Sequence, residues 1–121
     1  MIELTLPFPA KVLWPNGRPA HWAEKARAVK AHRIWGRNAA LVYRSDILAL
    51  PGSRFAIAVT VYPKTRNAID CDNCVAALKP YLDGIADTLG VDDRTFNTPS
   101  IAFGEPIKGG LMSIGISVVE T

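Results

Sequence analysis

Residues 55–62, with the sequence Phe-Ala-Ile-Ala-Val-Thr-Val-Tyr, constrain the fold more than any other segment of the chain. β-Branched and aromatic residues favour strands, and Pro51-Gly52 and Pro63 bound the run at its two ends. The run therefore predicts a buried strand in the middle of the chain. Further strands are predicted nearer the chain ends, over residues 2–6, 101–103 and 111–119.

Two segments of helical length separate these strands. Residues 21–47 are rich in alanine and predict one long helix or two in series, with Gly36 and Asn38 weakening the middle. Residues 73–89 repeat apolar side chains at three and four residues, which predicts a helix whose stripe lies in the core or at a subunit interface. The stripe consists of Val75, Leu78, Leu82, Ile85 and Leu89. The order of these elements predicts an α+β fold, with two main helices packed on a small mixed or antiparallel sheet.

Length and hydropathy limit the class of protein. A chain of 121 residues is enough for one domain, spanning residues 1–121, and too short for two. No apolar run approaches the roughly 20 residues that cross a bilayer, and the N-terminus lacks the basic and apolar segments of a secretory signal. We therefore expect a cytoplasmic protein with no membrane partner.

Charge is divided unevenly along the chain. Residues 1–66 contain 11 of the 14 lysines and arginines and 3 acidic residues, whereas residues 67–121 contain 3 basic and 8 acidic residues. A basic half beside an acidic cluster is typical of a nuclease, although uneven scatter over a solvated surface explains it equally well.

Apolar and basic residues occupy neighbouring sides of the first predicted helix, at about 100° per residue. We expect the apolar side to pack, and it holds Trp22, Val29, Ala40, Tyr43 and Ile47. The basic side holds Arg27, Lys30, Arg33, Arg37 and Arg44. This side predicts contact with DNA phosphates, and the alternative is an ordinary solvated face.

Cys71 and Cys74 form a lone C-x-x-C pair. Structural zinc usually needs four ligands, and the two histidines, His21 and His32, lie far away in the sequence. Aspartates interleave with the cysteines, which disfavours a redox motif. We interpret both cysteines as buried, reduced thiols.

The clearest chemical signal is a pair of aspartates before the second predicted helix. Asp70 and Asp72 stand two residues apart, so in an extended chain both carboxylates point the same way, as ligands of a hard divalent cation do. The alternative is a helix cap by Asp72 or Asn73, which explains one acid and not both.

A second pair, Asp92-Asp93, follows the end of that helix and on its own is more typical of a turn. Together with Asp70 and Asp72 it completes the carboxylate set that magnesium-dependent phosphodiester hydrolysis requires. A straight helix would hold Asp92 roughly 24 Å from Asp72. The chain must therefore bend at the proline or glycines within it, or the acid must come from a second subunit.

Lys79 lies two helical turns beyond Asp72 on the same side of the helix. There its charge would stabilise a phosphate during transfer. The alternative is an ion pair with Asp83, four residues further along the helix.

One stretch resembles the signature of the RusA family of Holliday-junction resolvases, which are common in prophages: residues 70–93, D-C-D-N-C-V-A-A-L-K-P-Y-L-D-G-I-A-D-T-L-G-V-D-D. L-P-F-P at residues 6–9 and P-N-G-R-P-A-H-W at residues 15–22 resemble the family's N-terminal segment, so the likeness spans most of the chain. The resemblance implies a magnesium- or manganese-dependent homodimer that binds four-way DNA and nicks opposing strands symmetrically, in DNA recombination and repair.

By position, the resemblance implies a set of catalytic residues, namely Asp70, Asp72, Asp93 and Lys79. It also implies that the three aspartates bind the metal, and Asp92 is a further candidate ligand. The family's lysine follows the second aspartate by four residues, at Ala76 here, so Lys79 fits that role through a local insertion. We expect the DNA backbone to be held by Arg18, Arg27, Lys30, Arg33, Arg37, Lys64 and Arg66, with salt-sensitive affinity and little sequence information.

Two other functions stay open. A general or flap-type metal-dependent nuclease or phosphatase would share the acids and show no preference for branched DNA. A non-catalytic DNA-binding module would use the acids only as caps and for solubility.

Overall fold

Strands and helices follow one another in the order that the sequence predicts. The computed structural model of the chain describes residues 1–15, 21–52, 54–66 and 69–119, and of Asp93 only the backbone. The strands are β1 (Ile2–Leu6), β2 (Phe55–Tyr62), β3 (Ser100–Phe103) and β4 (Leu111–Val118). The helices are α1 (Trp22–Val42), α2 (Arg44–Leu48) and α3 (Cys71–Leu89), with short 3-10 turns at Lys11–Leu13 and Asp93–Thr95. The predicted α+β class is confirmed, as are two helices in series within residues 21–47.

The strands within the described ranges form one mixed sheet in the order β1-β4-β2-β3. β4 pairs antiparallel with β1 and β2, and β3 pairs parallel with β2. Alternate residues of the central strands are buried, so Ile57 and Val59 of β2 pair with Ile116 and Ile114 of β4 inside the core. The period-two pattern of residues 55–62 thus builds one wall of the core.

Helix α3 contributes the opposite wall and begins at Cys71, two residues earlier than predicted. The Asp70 carboxylate caps its first turn, and Gly90, with φ of 68°, ends it in the left-handed conformation that glycine adopts readily. Leu78 and Ile85 are fully buried, so the predicted apolar stripe belongs to the core. In the described ranges, no helix has both the length and the apolar character needed to cross a membrane.

The face that α1 and α2 bury matches the predicted one in part, since Ala40 and Ile47 are fully buried as predicted. Trp22 is 75% exposed, and Tyr43, at the bend between α1 and α2, is 40% exposed, so the prediction that these two residues pack is wrong. The buried residues of α1 are His32, Gly36 and Ala40, each four residues apart. Gly36 is on this face because the backbones of α1 and α3 come close together there.

Gly36 and Gly84 mark that close approach. A Cβ on Gly36 would lie 2.5 Å from the carbonyl oxygen of Tyr81, and a Cβ on Gly84 would overlap the carbonyl oxygen of Arg33. Such distances leave no room for a side chain. Gly36, which weakens α1 by propensity, is therefore required by packing.

We predict that Gly84→Ala destabilises the protein, although alanine is the better helix former by about 1 kcal/mol. The added methyl group forces α1 and α3 apart, and overpacking of this kind costs about 1–3 kcal/mol. Urea denaturation measures the free energy of unfolding, with Asn38→Ala on the exposed side of α1 as the control for helix propensity. A variant at Gly84 as stable as the parent would contradict the close approach.

His32 is the buried histidine of α1, with 2% of its surface exposed. Its Nε2 accepts a hydrogen bond from the Ala10 N–H at 3.1 Å, and its Nδ1 lies 2.7 Å from the Ala28 carbonyl oxygen. Since Nε2 accepts, the proton of the neutral ring is assigned to Nδ1. The ring also lies against Tyr81 of α3. Burial lowers the pKa of His32, and the bond to Ala28 opposes this effect.

We predict that His32 makes stability depend on pH. Its pKa is lowered from the ordinary value of 6.5, so the folded protein favours the neutral ring. The stabilisation is complete above pH 6.5, the ordinary pKa, and is lost as the pH falls through the lower pKa of the folded protein. Between these two pKa values the free energy of unfolding falls by up to about 1.4 kcal/mol per pH unit.

The measurement is the free energy of unfolding in urea between about pH 5 and pH 8. His32→Gln should lose the part of the pH dependence that His32 contributes. The parent and the variant both contain His21, so the contribution of His21 cancels in the comparison. If the free energy of unfolding depends on pH in the same way in the parent and the variant, the prediction is wrong.

Candidate functional site

Asp70 and Asp72 lie at the N-terminal end of α3. Asp70 has extended backbone, with φ of −77° and ψ of 132°, and its Oδ1 accepts a hydrogen bond from the Asp72 N–H at 2.8 Å. The helix cap is therefore Asp70, and not Asp72 or Asn73. Because Asp72 is already in the first helical turn, the two carboxylates do not project from one extended segment, which corrects the prediction. Both side chains are exposed at the same end of the helix.

The donor set at this helix end suits a hard divalent cation. The cap uses one oxygen of Asp70, which leaves its other oxygen and the carboxylate of Asp72 to face a ligand. Mg²⁺ is usually held by one or two carboxylates together with waters and substrate phosphates, and this pair meets that requirement. Among the described side chains, no three or more of histidine, cysteine, aspartate or glutamate are grouped to hold a metal. One chain thus offers two carboxylates here.

The second aspartate pair lies at the opposite end of α3. Asp92 follows the Gly90 cap, and its Oδ1 accepts a hydrogen bond from the Arg94 N–H at 3.0 Å. Asp93 begins the 3-10 turn. Helix α3 is unbroken over 19 residues, and at about 1.5 Å per residue its far end lies about 25 Å from Asp72. The bend that would bring both pairs together within one chain does not occur.

The sheet gives the same separation independently. The loop that leads to Asp70 leaves the end of β2, whereas Phe96, shortly after Asp92, forms a bridge to Phe55 at the start of β2. β2 has 8 residues and is about 26 Å long at about 3.3 Å per residue. The two aspartate pairs therefore lie at opposite ends of the sheet.

Lys79 forms the ion pair that was the alternative to a catalytic role. Its Nζ lies 3.4 Å from Oδ1 of Asp83, and its side chain is 65% exposed. Seven residues of helix place it about 10 Å along the axis from Asp72. Exposed pairs of this kind contribute little to stability, so the pairing leaves the lysine able to exchange Asp83 for a phosphate.

Part of the basic side of α1 is paired with α3. Arg33 donates two hydrogen bonds to Asp87, from Nε at 2.6 Å and from Nη2 at 2.9 Å, and these bonds lower the pKa of the Asp87 carboxyl. Arg44 donates from Nε to the Thr88 carbonyl oxygen at 3.0 Å. The Arg37 carbonyl oxygen accepts a hydrogen bond from the Thr88 hydroxyl at 2.7 Å. The Nη1 group of Arg33 takes no part in these two bonds and the side chain is 50% exposed, so Arg33 can contact a phosphate while it stays paired with Asp87.

The other predicted contacts on α1 face solvent. Arg27 and Lys30 lie on its exposed side, and the side chain of Arg37 is exposed as well. Arg18 lies outside the described residues. Among the described residues, the predicted basic side of α1 is therefore open to solvent, with Arg33 held beside Asp87.

Two predicted contacts lie in the loop between β2 and α3. The Nζ of Lys64 is 5.6 Å from the centre of the Phe8 ring, and Nη1 of Arg66 is 3.7 Å from Oε2 of Glu105. This loop leads directly into Asp70. Arg66 thus precedes Asp70 by four residues in the chain, and Lys64 by six.

A cavity of about 390 Å³ adjoins this loop and was not anticipated from the sequence. It is lined by Pro63, Thr65, Arg66, Ile69, Phe103, Gly104, Glu105 and Pro106. Ile69 immediately precedes Asp70, so the cavity adjoins the acidic helix end. Its aromatic side chain is Phe103, which is 45% exposed at the end of β3. The sequence shows a phenylalanine at the end of a predicted strand, which was the available sign of an exposed aromatic residue. That Phe103 lines this cavity follows only from the parallel pairing of β3 with β2.

The two cysteines differ in environment. Cys74 is buried, and burial raises the pKa of its thiol to about 11. Cys71 is exposed in the first turn of α3. The interpretation of both cysteines as buried is therefore wrong for Cys71, because this residue is the first of α3 and its side chain lies on the exposed side of the helix end.

Fold and site together define a small single-domain α+β protein with an exposed carboxylate pair at a helix N-terminus, next to a basic loop and a cavity. The chain belongs to the same family as a protein of Xylella fastidiosa strain Temecula1 that is described as uncharacterized. The two are 41% identical over 118 residues, which is 97% of this chain and 76% of the relative. No family model matches the chain.

We predict that two variants separate the roles of Asp70. Asp70→Ala removes the cap and costs about 1 kcal/mol of the free energy of unfolding, whereas Asp70→Asn keeps an oxygen that accepts the Asp72 N–H and costs little. Both variants weaken binding of Mn²⁺, because a charged ligand is lost. Thermal denaturation and calorimetric titration with Mn²⁺ measure the two effects. Equal stability losses would argue against the cap, and unchanged Mn²⁺ affinity would exclude Asp70 as a ligand.

Proposed function

We propose that the protein is a metal-dependent DNA endonuclease of the RusA type, which resolves four-way junctions by paired nicks. The observation that carries the proposal is the exposed pair Asp70 and Asp72 at the start of α3, next to the basic loop and within the motif that resembles the family's signature. Carboxylate oxygens suit Mg²⁺ or Mn²⁺, and the loop bases suit the phosphates that flank the bond to be cut.

In this proposal Asp70 and Asp72 hold the cation, and the cap bond fixes the carboxylate of Asp70 against the helix. A bound cation would polarise the scissile phosphate and lower the pKa of an attacking water. Lys79, released from Asp83, offsets the additional negative charge that develops on the phosphate. Arg66 holds the neighbouring DNA backbone.

We propose that the third carboxylate comes from a second copy of the chain. Within one copy the aspartate pairs are separated by the length of α3, about 25 Å. A two-fold axis across the middle of α3 sets two copies of this helix antiparallel, with the start of each beside the end of the other. Asp70 and Asp72 of one copy then approach Asp92 and Asp93 of its partner.

The outward side of α3 is self-complementary in that arrangement. Ala76 and Lys79 are exposed on it, and Asp83 is partly exposed one turn further on. Two antiparallel helices centred near Tyr81 place each Lys79 opposite the partner's Asp83, so charges of opposite sign face each other across the interface, and these exposed pairs are weak enough for a phosphate to take the lysine. The small side chain of Ala76 lets the two helices approach closely.

A two-fold dimer with two such sites suits a two-fold substrate. Symmetric cuts on opposed strands of a four-way junction give products that can be ligated, and two identical sites make such cuts. Because this substrate arises where chromosomal DNA recombines, the cytoplasm is the compartment that the proposal expects.

A non-catalytic DNA-binding module is the second candidate, and a specific observation favours it. Asp70 and Asp92 each accept a local backbone hydrogen bond, and Lys79 pairs with Asp83, so each of these residues also has a structural role. In that case the basic loop and α1 bind DNA, and the carboxylates shape the ends of α3.

We predict that Asp72→Asn and Asp93→Asn are each inactive and that mixing the two restores activity. In a mixed dimer, one of the two shared sites has both carboxylates intact, whereas a site built within one chain is broken in both variants. Random exchange makes about half of the dimers mixed, so about a quarter of the sites recover. The measurement is nicking of labelled four-way, flap and linear DNA, with and without magnesium.

Asp46→Asn, on the exposed surface of α2, is the control for the loss of a negative charge. Recovery on four-way DNA supports a resolvase with shared sites, and no recovery beside an active parent would confine the site to one chain. Equal cutting of all substrates would point to a general or flap-type nuclease. DNA binding by the parent without any cutting would favour the binding module.

A further inference from the structure

We infer that the cavity beside Asp70 binds an unpaired nucleobase of the DNA, next to the phosphate that is cut. The inference rests on the proposed function and names the part of the substrate that this cavity takes. Four features of the cavity carry it: its place in the fold, its preformed walls, its exposed aromatic ring and its charged rim.

The topology puts the cavity next to the proposed metal ligands. β2 and β3 run parallel, with Val61 opposite Phe103, so both strands leave the sheet at the same edge. Residues that follow the two strands line the cavity, which is open to solvent on one side. Ile69, in its wall, immediately precedes Asp70, and consecutive Cα atoms are about 3.8 Å apart. A base held in the cavity therefore brings its own backbone phosphate towards Asp70.

Contacts between the two loops hold the walls in place. The Gly104 N–H donates to the Val61 carbonyl oxygen at 2.9 Å, and the Ile107 N–H donates to the Pro63 carbonyl oxygen at 2.9 Å. A Cβ on Gly104 would overlap the ring of Tyr62, so the loop lies flat against that ring. These contacts fix the side of the cavity that Pro63, Gly104 and Pro106 form, and most sites for small molecules are largely preformed in the same way.

Phe103 gives the cavity a surface for stacking. Its side chain is 45% exposed, and Pro63, Ile69 and Pro106 add apolar wall around it. The volume of about 390 Å³ is at the lower end of the roughly 300–1,000 Å³ typical of small-molecule sites, which suits a single base. Stacking on an aromatic ring accepts every base, because every base has a π-face.

The charged rim suits the phosphate attached to that base. Arg66 and Glu105 lie 3.7 Å apart, with side chains 84% and 86% exposed, so their ion pair contributes little to stability. A phosphate forms stronger, bidentate hydrogen bonds with arginine and displaces Glu105. An aromatic surface beside a cationic group is the combination that sites for single-stranded nucleic acid use.

The test uses the full chain, without divalent cation, and short single-stranded DNA that carries one 2-aminopurine. The fluorescence of this base falls when it stacks on an aromatic ring. We expect quenching by the parent protein and none by Phe103→Leu, which keeps an apolar side chain but loses the ring. The same variant should bind about ten- to a hundredfold more weakly. Glu105→Gln should bind at least as tightly as the parent, because Arg66 is released.

Trp22→Leu is the matched control, since Trp22 is an exposed aromatic residue on the basic helix α1 and lies outside the cavity. Equal quenching by the parent and Phe103→Leu would overturn the inference, as would quenching that depends on Trp22 instead. So would a parent protein that binds no single-stranded DNA.

Magnesium-dependent nicking of a four-way junction separates this inference from the proposed function. Junction cutting that is unaffected by Phe103→Leu overturns the inference and leaves the nuclease in place. Stacking on Phe103 in a protein that cuts no DNA supports the inference and overturns the nuclease.

Discussion

The close contact between α1 and α3 is the interaction on which the rest of the structure depends. Gly36 and Gly84 let the two backbones meet, and His32 lies against Tyr81 along the same contact. The Tyr81 hydroxyl donates a hydrogen bond to the Pro7 carbonyl oxygen at 2.7 Å. Three segments that are far apart in sequence are thus joined at one buried point. Because α3 is held there, the positions of its two ends are fixed as well.

The fixed length of α3 limits what the aspartates can do. Helix α3 is about 28 Å long and strand β2 about 26 Å, so a residue before α3 and a residue after it necessarily lie at opposite ends of the sheet. No aspartate side chain spans that distance. A cation that takes carboxylates from both ends of α3 therefore requires two copies of the chain. Under the proposed function, dimerisation is then a condition of the chemistry rather than an addition to it.

Local patterns of side chains predicted the strands and helices of this fold. The burial of Gly36 on α1 and the position of Phe103 were not predicted, because they depend on contacts between elements that are distant in sequence. Alternation marked β2, and apolar spacing marked α3, because each pattern depends on neighbours in the chain. Trp22 was predicted to pack because it is hydrophobic, but it is exposed. Gly36 is buried on α1 instead, because the backbones of α1 and α3 come close together there. Asp70 and Asp72 were readable as a motif. Phe103 was not, since only the parallel pairing of β3 brings it to the site.

Charged side chains interact with the helix dipole at both ends of α3, which affects how a cation would bind at the N-terminal end. At the C-terminal end, Arg44 donates to the Thr88 carbonyl oxygen, so a cation meets the negative end of the helix dipole. At the N-terminal end, the dipole stabilises the carboxylates of Asp70 and Asp72 and opposes a cation beside them. Two carboxylates at such a position need further negative ligands to hold a divalent ion well. In the proposed function those ligands are a DNA phosphate and the carboxylates of a second copy, which couples metal binding to both substrate and dimer.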